Sequence, residues 1–217
     1  MKPINVGLLG IGTVGGGTWT VLTRNAEEIT RRAGRPICIT TVADRNLERA
    51  RTVTGGAARL VDDAFAVVKD PEIDIVVELI GGCTVAKDLV LAAIENGKHV
   101  VTANKALLAM HGNEIFAAAQ KKGVMVAFEA AVAGGIPIIK ALREGLTANR
   151  IQWLAGIING TTNFILSEMR DKGLAFDVVL KEAQALGYAE ADPTFDIEGN
   201  DAARSEERRV GKECRSR

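Results

Sequence analysis

A glycine-rich loop near the start of the chain constrains the fold more than any other feature. The loop follows a short apolar run at residues 4–9 and precedes a stretch with helical character. In this pattern the first glycine permits a tight turn, the second lets the backbone approach a pyrophosphate, and the third lets the helix pack closely on the strand. The helix N-terminus attracts the anion. The sequence therefore predicts a dinucleotide site whose loop residues are Gly10, Gly12, Thr13, Val14 and Gly15.

Apolar runs that suit buried strands alternate with helical stretches over the first 136 residues. The runs lie at residues 4–9, 37–42, 73–80, 99–102 and 124–128, and the first helix is predicted over residues 14–32. Such alternation is typical of βαβ units. The sequence therefore predicts an α/β fold, a Rossmann-type doubly wound parallel sheet.

The pattern changes near Pro137, where helical segments no longer alternate with strands. We therefore predict a nucleotide-binding domain at residues 1–136 and a different domain from residue 137 onward. Residues 204–217 carry six basic and three acidic side chains and offer no apolar face to bury. Such a segment is predicted to be disordered or to form a frayed helix.

Composition limits the class of protein. Apolar residues make up 47% and charged residues 25%, and the formal net charge is zero, so neither nucleic acid nor a membrane is expected as a partner. The apolar runs are shorter than the roughly 20 residues that span a bilayer, and the glycine-rich start does not resemble a secretion signal. Three cysteines without metal or redox spacing indicate reduced thiols in the cytoplasm.

The end of the second strand bears on the choice of cofactor. Asp44 suits a hydrogen bond to a ribose 2′-hydroxyl, which favours NAD, while Arg45 suits a 2′-phosphate, which favours NADP. A solvated charged turn would also explain the arginine. The sequence leaves NAD and NADP both open.

Six segments resemble homoserine dehydrogenases, and the resemblance extends over residues 4–203. They are Gly7–Gly15, Val77–Gly82, Val101–Lys105, Glu129–Pro137, Asn159–Asn163 and Ala183–Asp201. The last is the most specific, and it argues against another oxidoreductase built on the same nucleotide domain. The resemblance identifies the chain as an N-terminal fragment of a member of this family.

The resemblance implies an activity and its partners. The family interconverts L-homoserine and L-aspartate 4-semialdehyde with NAD or NADP, in the biosynthesis of threonine, methionine and isoleucine. It also implies that residues 137–203 are the truncated start of an α+β substrate and dimerisation domain. A small-molecule substrate and a homodimer are implied as well, and the truncation is expected to compromise the homodimer.

The resemblance further assigns roles to individual residues. Lys105, Asp196 and Asp201 match catalytic positions, Glu190 and Asp201 match homoserine-binding positions, and Gly187 matches a backbone contact to the cofactor. Without the motif, the acidic residues would be interpreted as a solvated loop. A monovalent cation site, suited to sodium because its ligands are all oxygen atoms, is implied at Glu129, Val132, Gly134 and Ile136.

Lys105 also stands out by position, since it follows a strand in the crevice where parallel sheets bind ligands. Its ammonium group suits a developing alkoxide, whereas a lysine that merely opens a helix meets the positive end of the helix dipole. Thr102 and Asn104 are predicted to line the nicotinamide pocket. A helix cap explains Asn104 almost equally well.

The family signature should close on a lysine four residues after Asp201, where this chain has Ser205. That lysine is the family's proton donor, and a serine hydroxyl is a poor substitute near neutral pH. The neighbouring Arg204 cannot relay a proton, because its guanidinium group does not deprotonate. A catalytically impaired NAD(P)-binding module is therefore the alternative to an active dehydrogenase.

Overall fold

The structure is a computed structural model, and it describes residues 2–157, 159–189 and 193–198. The charged tail at residues 204–217 lies outside the described residues. The chain divides into two compact units between Ile139 and Lys140. The boundary predicted between residues 136 and 137 lies shortly before this division and stays a prediction.

The first unit contains a six-stranded sheet in which every paired strand is parallel. The order of the strands is β3-β2-β1-β4-β5-β6, the order of a Rossmann fold. The predicted fold class is therefore confirmed. The strands are β1 (Ile4–Leu9), β2 (Ile37–Ala43), β3 (Arg59–Val61), β4 (Ile75–Glu78), β5 (His99–Thr102) and β6 (Val126–Ala127).

Helices connect the strands and continue into the second unit. The helices are α1 (Thr13–Arg24), α2 (Ala26–Ala33), α3 (Leu47–Thr54), α4 (Ala64–Lys69), α5 (Thr84–Glu95), α6 (Lys105–Lys122), α7 (Ile138–Lys140), α8 (Gly160–Lys172), α9 (Phe176–Ala185) and α10 (Thr194–Ile197). A 3₁₀ turn lies at Glu129–Ala131 and a π-helical turn at Ala141–Gly145. Among the helices of the described residues, none combines the length and the apolar character that a membrane crossing requires.

One local prediction was wrong and one strand was missed. The helix predicted over residues 14–32 is interrupted at Asn25, whose φ of −104° and ψ of 20° are not helical. Asparagine is a poor helix former because its side chain competes with the backbone for hydrogen bonds. The strand Arg59–Val61 was not predicted, because three residues with one charged side chain give no apolar run.

Apolar side chains cover both faces of the sheet. Along β1, Val6 and Leu8 belong to one buried cluster and Leu9 to another, as expected from the alternation of side chains in a strand. Residues of α4, α5 and α6 pack into the cluster of Leu9, while residues of α1 and α3 pack into the other. The two cores hold the carboxyl ends of β1, β2, β4 and β5 in fixed relative positions.

The second unit has a small core of its own. Ile165 of α8 packs with Val179 and Ala183 of α9. The rings of Phe164 and Tyr188 lie 5.0 Å apart at an angle of 58°. This packing connects the start of α8 to the segment that follows α9.

A buried lysine ties the start of β5 to the turn before β4. Lys98 is 4% exposed, and its Nζ donates to the carbonyl oxygens of Asp70 and of Ile73, the latter at 2.8 Å. Burial lowers the pKa of Lys98, and the Asp70 and Asp74 carboxylates partly oppose this effect. The lysine therefore supplies donors to carbonyl groups at the amino ends of the strands, whereas the glycine loop lies at their carboxyl ends.

We predict that Lys98→Met lowers the free energy of unfolding by about 1–3 kcal/mol at neutral pH, because buried carbonyl groups lose a donor. Since the native pKa lies below the ordinary 10.5, the native state releases this proton before the unfolded state does. Wild-type stability relative to the variant should therefore rise with pH between those two pKa values. Urea unfolding at several pH values measures both effects. Lys121→Met, at an exposed site, should show neither the loss of stability nor its dependence on pH. A stability difference between wild type and Lys98→Met that falls as pH rises would contradict this account.

Candidate cofactor-binding and active site

The glycine loop has the close backbone approaches that its sequence predicts. Gly10 has a φ of +92°, and its N–H donates to the carbonyl oxygen of Ala43 at 2.8 Å. A Cβ atom on Gly15 would lie 2.0 Å from the carbonyl oxygen of Gly10, so α1 passes too close to the loop for any side chain. A Cβ atom on Gly12 would meet nothing within 4 Å. The loop is therefore tight on its inner side and open at Gly12.

The N-terminus of α1 lies at this opening. Gly12 precedes the helix, and Thr13 and Val14, its first two residues, are exposed. The first turn has no acidic residue, so no carboxylate of α1 itself opposes the positive end of the helix dipole. These features suit a pyrophosphate group.

Asp44 connects the end of β2 to the glycine loop. Its Oδ2 accepts from the Ile11 N–H at 2.7 Å, and its Oδ1 accepts from the Asn46 N–H at 2.8 Å. Asp44 therefore shapes the loop, a role that sequence reasoning missed. Its predicted contact with a ribose stays a prediction, as does the pairing of a 2′-phosphate with Arg45, which is exposed.

We predict that Gly15→Ala weakens NADPH binding about tenfold to hundredfold, because the new Cβ displaces the Gly10 carbonyl, and overpacking of this kind costs about 1–3 kcal/mol. Gly17 is the matched control, since it is exposed in the same helix and a Cβ there meets nothing within 4 Å. Gly17→Ala should leave binding unchanged and stabilise the protein by about 0.5–1 kcal/mol. Fluorescence titration and urea unfolding measure both variants. Equal NADPH affinities for the two would contradict the loop geometry.

A second group of polar residues lies at the carboxyl ends of β4 and β5. Glu78, the last residue of β4, is fully buried. Its Oε1 accepts from the N–H groups of Ile80 at 2.9 Å and Gly81 at 3.3 Å, and its Oε2 accepts from the Thr102 hydroxyl at 2.7 Å. Sequence reasoning missed Glu78. The available signal was a carboxylate inside an apolar run that ends at two glycines, Gly81 and Gly82.

The turn after β5 positions the start of α6. The Thr102 hydroxyl accepts from the Asn104 N–H at 3.0 Å, and the Asn104 Oδ1 accepts from the Leu107 N–H at 3.0 Å. The predicted helix cap at Asn104 is thus confirmed. Its Nδ2 also donates to the Gly82 carbonyl at 2.6 Å. Lys105 is the first residue of α6 and is half-buried.

A turn between the sheet and α7 contains the predicted cation ligands. The Glu129 Oε1 accepts from the Ile139 N–H at 2.9 Å. The chain then curls through Ala133, with a φ of +47°, and Gly135, with a φ of +83°. The assigned ligands Val132, Gly134 and Ile136 lie within this turn and stay predictions.

The described part of the second unit contains two of the remaining predicted residues, Gly187 and Asp196. The Thr161 hydroxyl donates to the Tyr188 carbonyl at 2.7 Å, which fixes the turn that includes Gly187, with a φ of +77°. Asp196 lies in α10. Glu190, Asp201 and Ser205 lie outside the described residues. The roles assigned to all these residues stay predictions.

Comparisons with known proteins agree over nearly the whole chain. Two family models match, the homoserine dehydrogenase NAD binding domain over residues 10–129 and homoserine dehydrogenase over residues 137–205. The homoserine dehydrogenase of Methylobacillus glycogenes is 72% identical over 203 residues, which cover 94% of this chain and 49% of that relative. The chain spans about half the length of the curated relatives it matches.

Solved structures give the same result. A homoserine dehydrogenase from Thiobacillus denitrificans is 76% identical, with a TM-score of 0.87, and the match covers 94% of this chain and 47% of that one. A hyperthermophilic archaeal homoserine dehydrogenase in complex with NADPH is 26% identical, with a TM-score of 0.78, and the match covers 94% of this chain and 67% of that one. The family predicted from the motifs is confirmed: the chain belongs to the homoserine dehydrogenases.

Proposed function

We propose that the protein interconverts L-homoserine and L-aspartate 4-semialdehyde by hydride exchange with NAD or NADP. The observation that carries the proposal is the family match beyond the nucleotide domain, over residues 137–205. A bare NAD(P)-binding module would not require that segment. The match therefore favours the dehydrogenase over the binding module, and the reaction supplies homoserine for amino-acid biosynthesis.

The residues of the first unit fit a nicotinamide dinucleotide. The opening at Gly12 and the N-terminus of α1 suit the pyrophosphate, and the end of β2 suits the adenosine ribose. In the observed strand order, the crevice lies where the connections from β1 diverge, between β1 and β4. The nicotinamide half then lies toward the ends of β4 and β5. When bound, the cofactor supplies or accepts the hydride.

The protein's own contribution is orientation, charge and proton transfer. In this proposal the half-buried Lys105, which begins α6 just after β5, supplies an ammonium group to the carbonyl oxygen of the semialdehyde as that oxygen gains negative charge. Hydrogen bonds around Asn104 fix the start of α6 and thus the backbone of Lys105. Carboxylates of the signature segment, at Glu190, Asp196 and Asp201, hold the substrate's ammonium group and orient lysine side chains.

Two finer assignments complete the proposal. We propose NADPH as the preferred reductant, supported by the exposed Arg45 and by the NADPH complex of the archaeal relative. We also propose a sodium ion at the turn of Glu129, Val132, Gly134 and Ile136. One carboxylate and several backbone carbonyl groups within eight residues are the oxygen donors that a hard cation prefers. A homodimer in the cytoplasm is proposed from the family resemblance.

Substrate-dependent cofactor oxidation tests the proposed function. The full 217-residue chain is incubated with L-aspartate 4-semialdehyde and either NADPH or NADH, and homoserine is identified by mass spectrometry. Homoserine formation that depends on both reactants is the expected result, with NADPH the better reductant. Binding of NADPH without any homoserine at high protein concentration would contradict the proposed reaction and favour the binding module.

A further inference from the structure

Glu78 is a buried carboxylate that the proposed chemistry does not use. It is fully inaccessible to solvent at the carboxyl end of β4. Burying a charged group is costly unless hydrogen bonds compensate it. Its three donors, the Ile80 and Gly81 N–H groups and the Thr102 hydroxyl, supply that compensation. A carboxylate at this position holds its three donor groups in a fixed arrangement.

These hydrogen bonds form a closed ring between two loops. Glu78 accepts from the Thr102 hydroxyl, which in turn accepts from the Asn104 N–H. The Asn104 side chain donates to the Gly82 carbonyl, and the N–H of the neighbouring Gly81 donates to Glu78, which closes the ring. The ring therefore joins the loop after β4 to the loop after β5. Both loops border the nicotinamide half of the predicted crevice.

The Thr102 hydroxyl is the member of the ring that can either donate or accept, and the Glu78 carboxylate fixes its direction. A carboxylate only accepts, so the Thr102 hydroxyl must donate to it and is left to accept from Asn104. A glutamine of the same shape would turn its NH₂ group toward either the backbone N–H groups or the Thr102 oxygen. In the first case two donors face each other, and in the second the hydroxyl hydrogen loses its acceptor.

We propose that Glu78 is a positioning residue for the nicotinamide end of the cofactor, acting through Thr102, Asn104 and the Gly81–Gly82 loop. The proposal rests on the proposed function, because it requires that a nicotinamide dinucleotide binds in this crevice. It assigns the fully buried carboxylate to the nicotinamide half of the site. The glycine loop and Asp44 organise the other half.

Two ligands separate the halves of the site. NADPH contains the nicotinamide ring, whereas 2′-phospho-ADP-ribose lacks it and keeps the rest of the molecule. We expect Glu78→Gln to weaken NADPH binding about tenfold or more in a titration of the full chain. The affinity of the Glu78→Gln variant for 2′-phospho-ADP-ribose should stay within about threefold of wild type, because that ligand has no nicotinamide ring to position. The loss of one hydrogen bond to a charged group is large enough to account for the tenfold loss of NADPH affinity. Glu95→Gln, at an exposed residue of α5, should change neither affinity.

Variants of Thr102 provide an independent test. Thr102→Val removes the hydroxyl without changing the shape and should reproduce the selective loss, while Thr102→Ser should restore NADPH binding. Thr54→Val is the matched control, because the Thr54 hydroxyl is also buried and also bonded on both sides, to the Ala50 carbonyl and the Gly56 N–H. Thr54 is the last residue of α3 and belongs to neither loop. Loss of its hydroxyl should leave the ratio of the NADPH and 2′-phospho-ADP-ribose affinities unchanged.

The outcomes distinguish the positioning role from the function on which it rests. Wild-type NADPH affinity in Glu78→Gln would overturn the positioning role. An equal loss of affinity for NADPH and for 2′-phospho-ADP-ribose would overturn it as well. If Glu78→Gln does not fold, the contrast between Thr102→Val and Thr102→Ser decides, and equal NADPH affinities would overturn the role. A wild-type chain that binds neither ligand would instead contradict the proposed function and the positioning role together.

Discussion

Lys105→Met is expected to reduce the rate of semialdehyde reduction about 10²–10⁴-fold, the range that a positioned acid–base group contributes. Methionine fills a similar volume but has no ammonium group to stabilise the developing alkoxide. Lys105 is the first residue of α6, and the hydrogen bonds of Asn104 fix the backbone there. We therefore expect NADPH affinity to fall much less than the rate. Single-turnover kinetics and fluorescence titration measure the two effects separately.

Lys121→Met is the control for Lys105→Met, because Lys121 lies at the other end of α6 and is exposed. It should retain the wild-type rate. A Lys105→Met variant that also retains the rate would remove Lys105 from the reaction. Equal losses of rate and NADPH affinity would assign Lys105 to cofactor binding alone.

Ser205→Lys is expected to increase the rate of semialdehyde reduction about 10²–10⁴-fold over the wild-type chain, since it restores the proton donor of the family signature. NADPH affinity should not change, because the predicted cofactor contacts lie elsewhere. The full chain and the variant are compared at the same protein concentration, with homoserine as the measured product.

Ser205→Arg is the matched control for Ser205→Lys. Arginine supplies the same positive charge but does not release a proton near neutral pH. It should therefore recover much less of the rate than lysine does. Equal rates in the serine, lysine and arginine chains would show that position 205 does not donate the proton here.

The sequence predicts the nucleotide-binding core well because the relevant signals are local. The run at residues 4–9 and the glycines that follow it specify a strand, a turn and a helix within about 15 residues. The structure places β1, Gly10 and α1 accordingly. The parallel direction of the strands then follows from the alternation of strands and helices. The helix break at Asn25 was missed because a single residue decides it.

The polar network of the site was less predictable, because its partners are distant in sequence. Asp44 bonds to Ile11, 33 residues earlier, and Glu78 bonds to Thr102, 24 residues later. Such pairs exist only once the sheet has formed. The motifs drew attention to Thr102 and Asn104 as pocket residues, whereas the structure shows their polar groups engaged with Glu78 and Gly82. Residue type alone could not reveal those partners.

Isotope transfer tests the central claim most directly, namely that this chain brings a nicotinamide and aspartate semialdehyde together for hydride transfer. The full chain is incubated with NADPH that carries deuterium at both hydrogen positions of nicotinamide C4 and with L-aspartate 4-semialdehyde, and the homoserine formed is analysed by mass spectrometry. The account predicts homoserine with one deuterium at C4, and its yield should increase in Ser205→Lys. Homoserine without deuterium, or none from either chain when both bind NADPH, would contradict it.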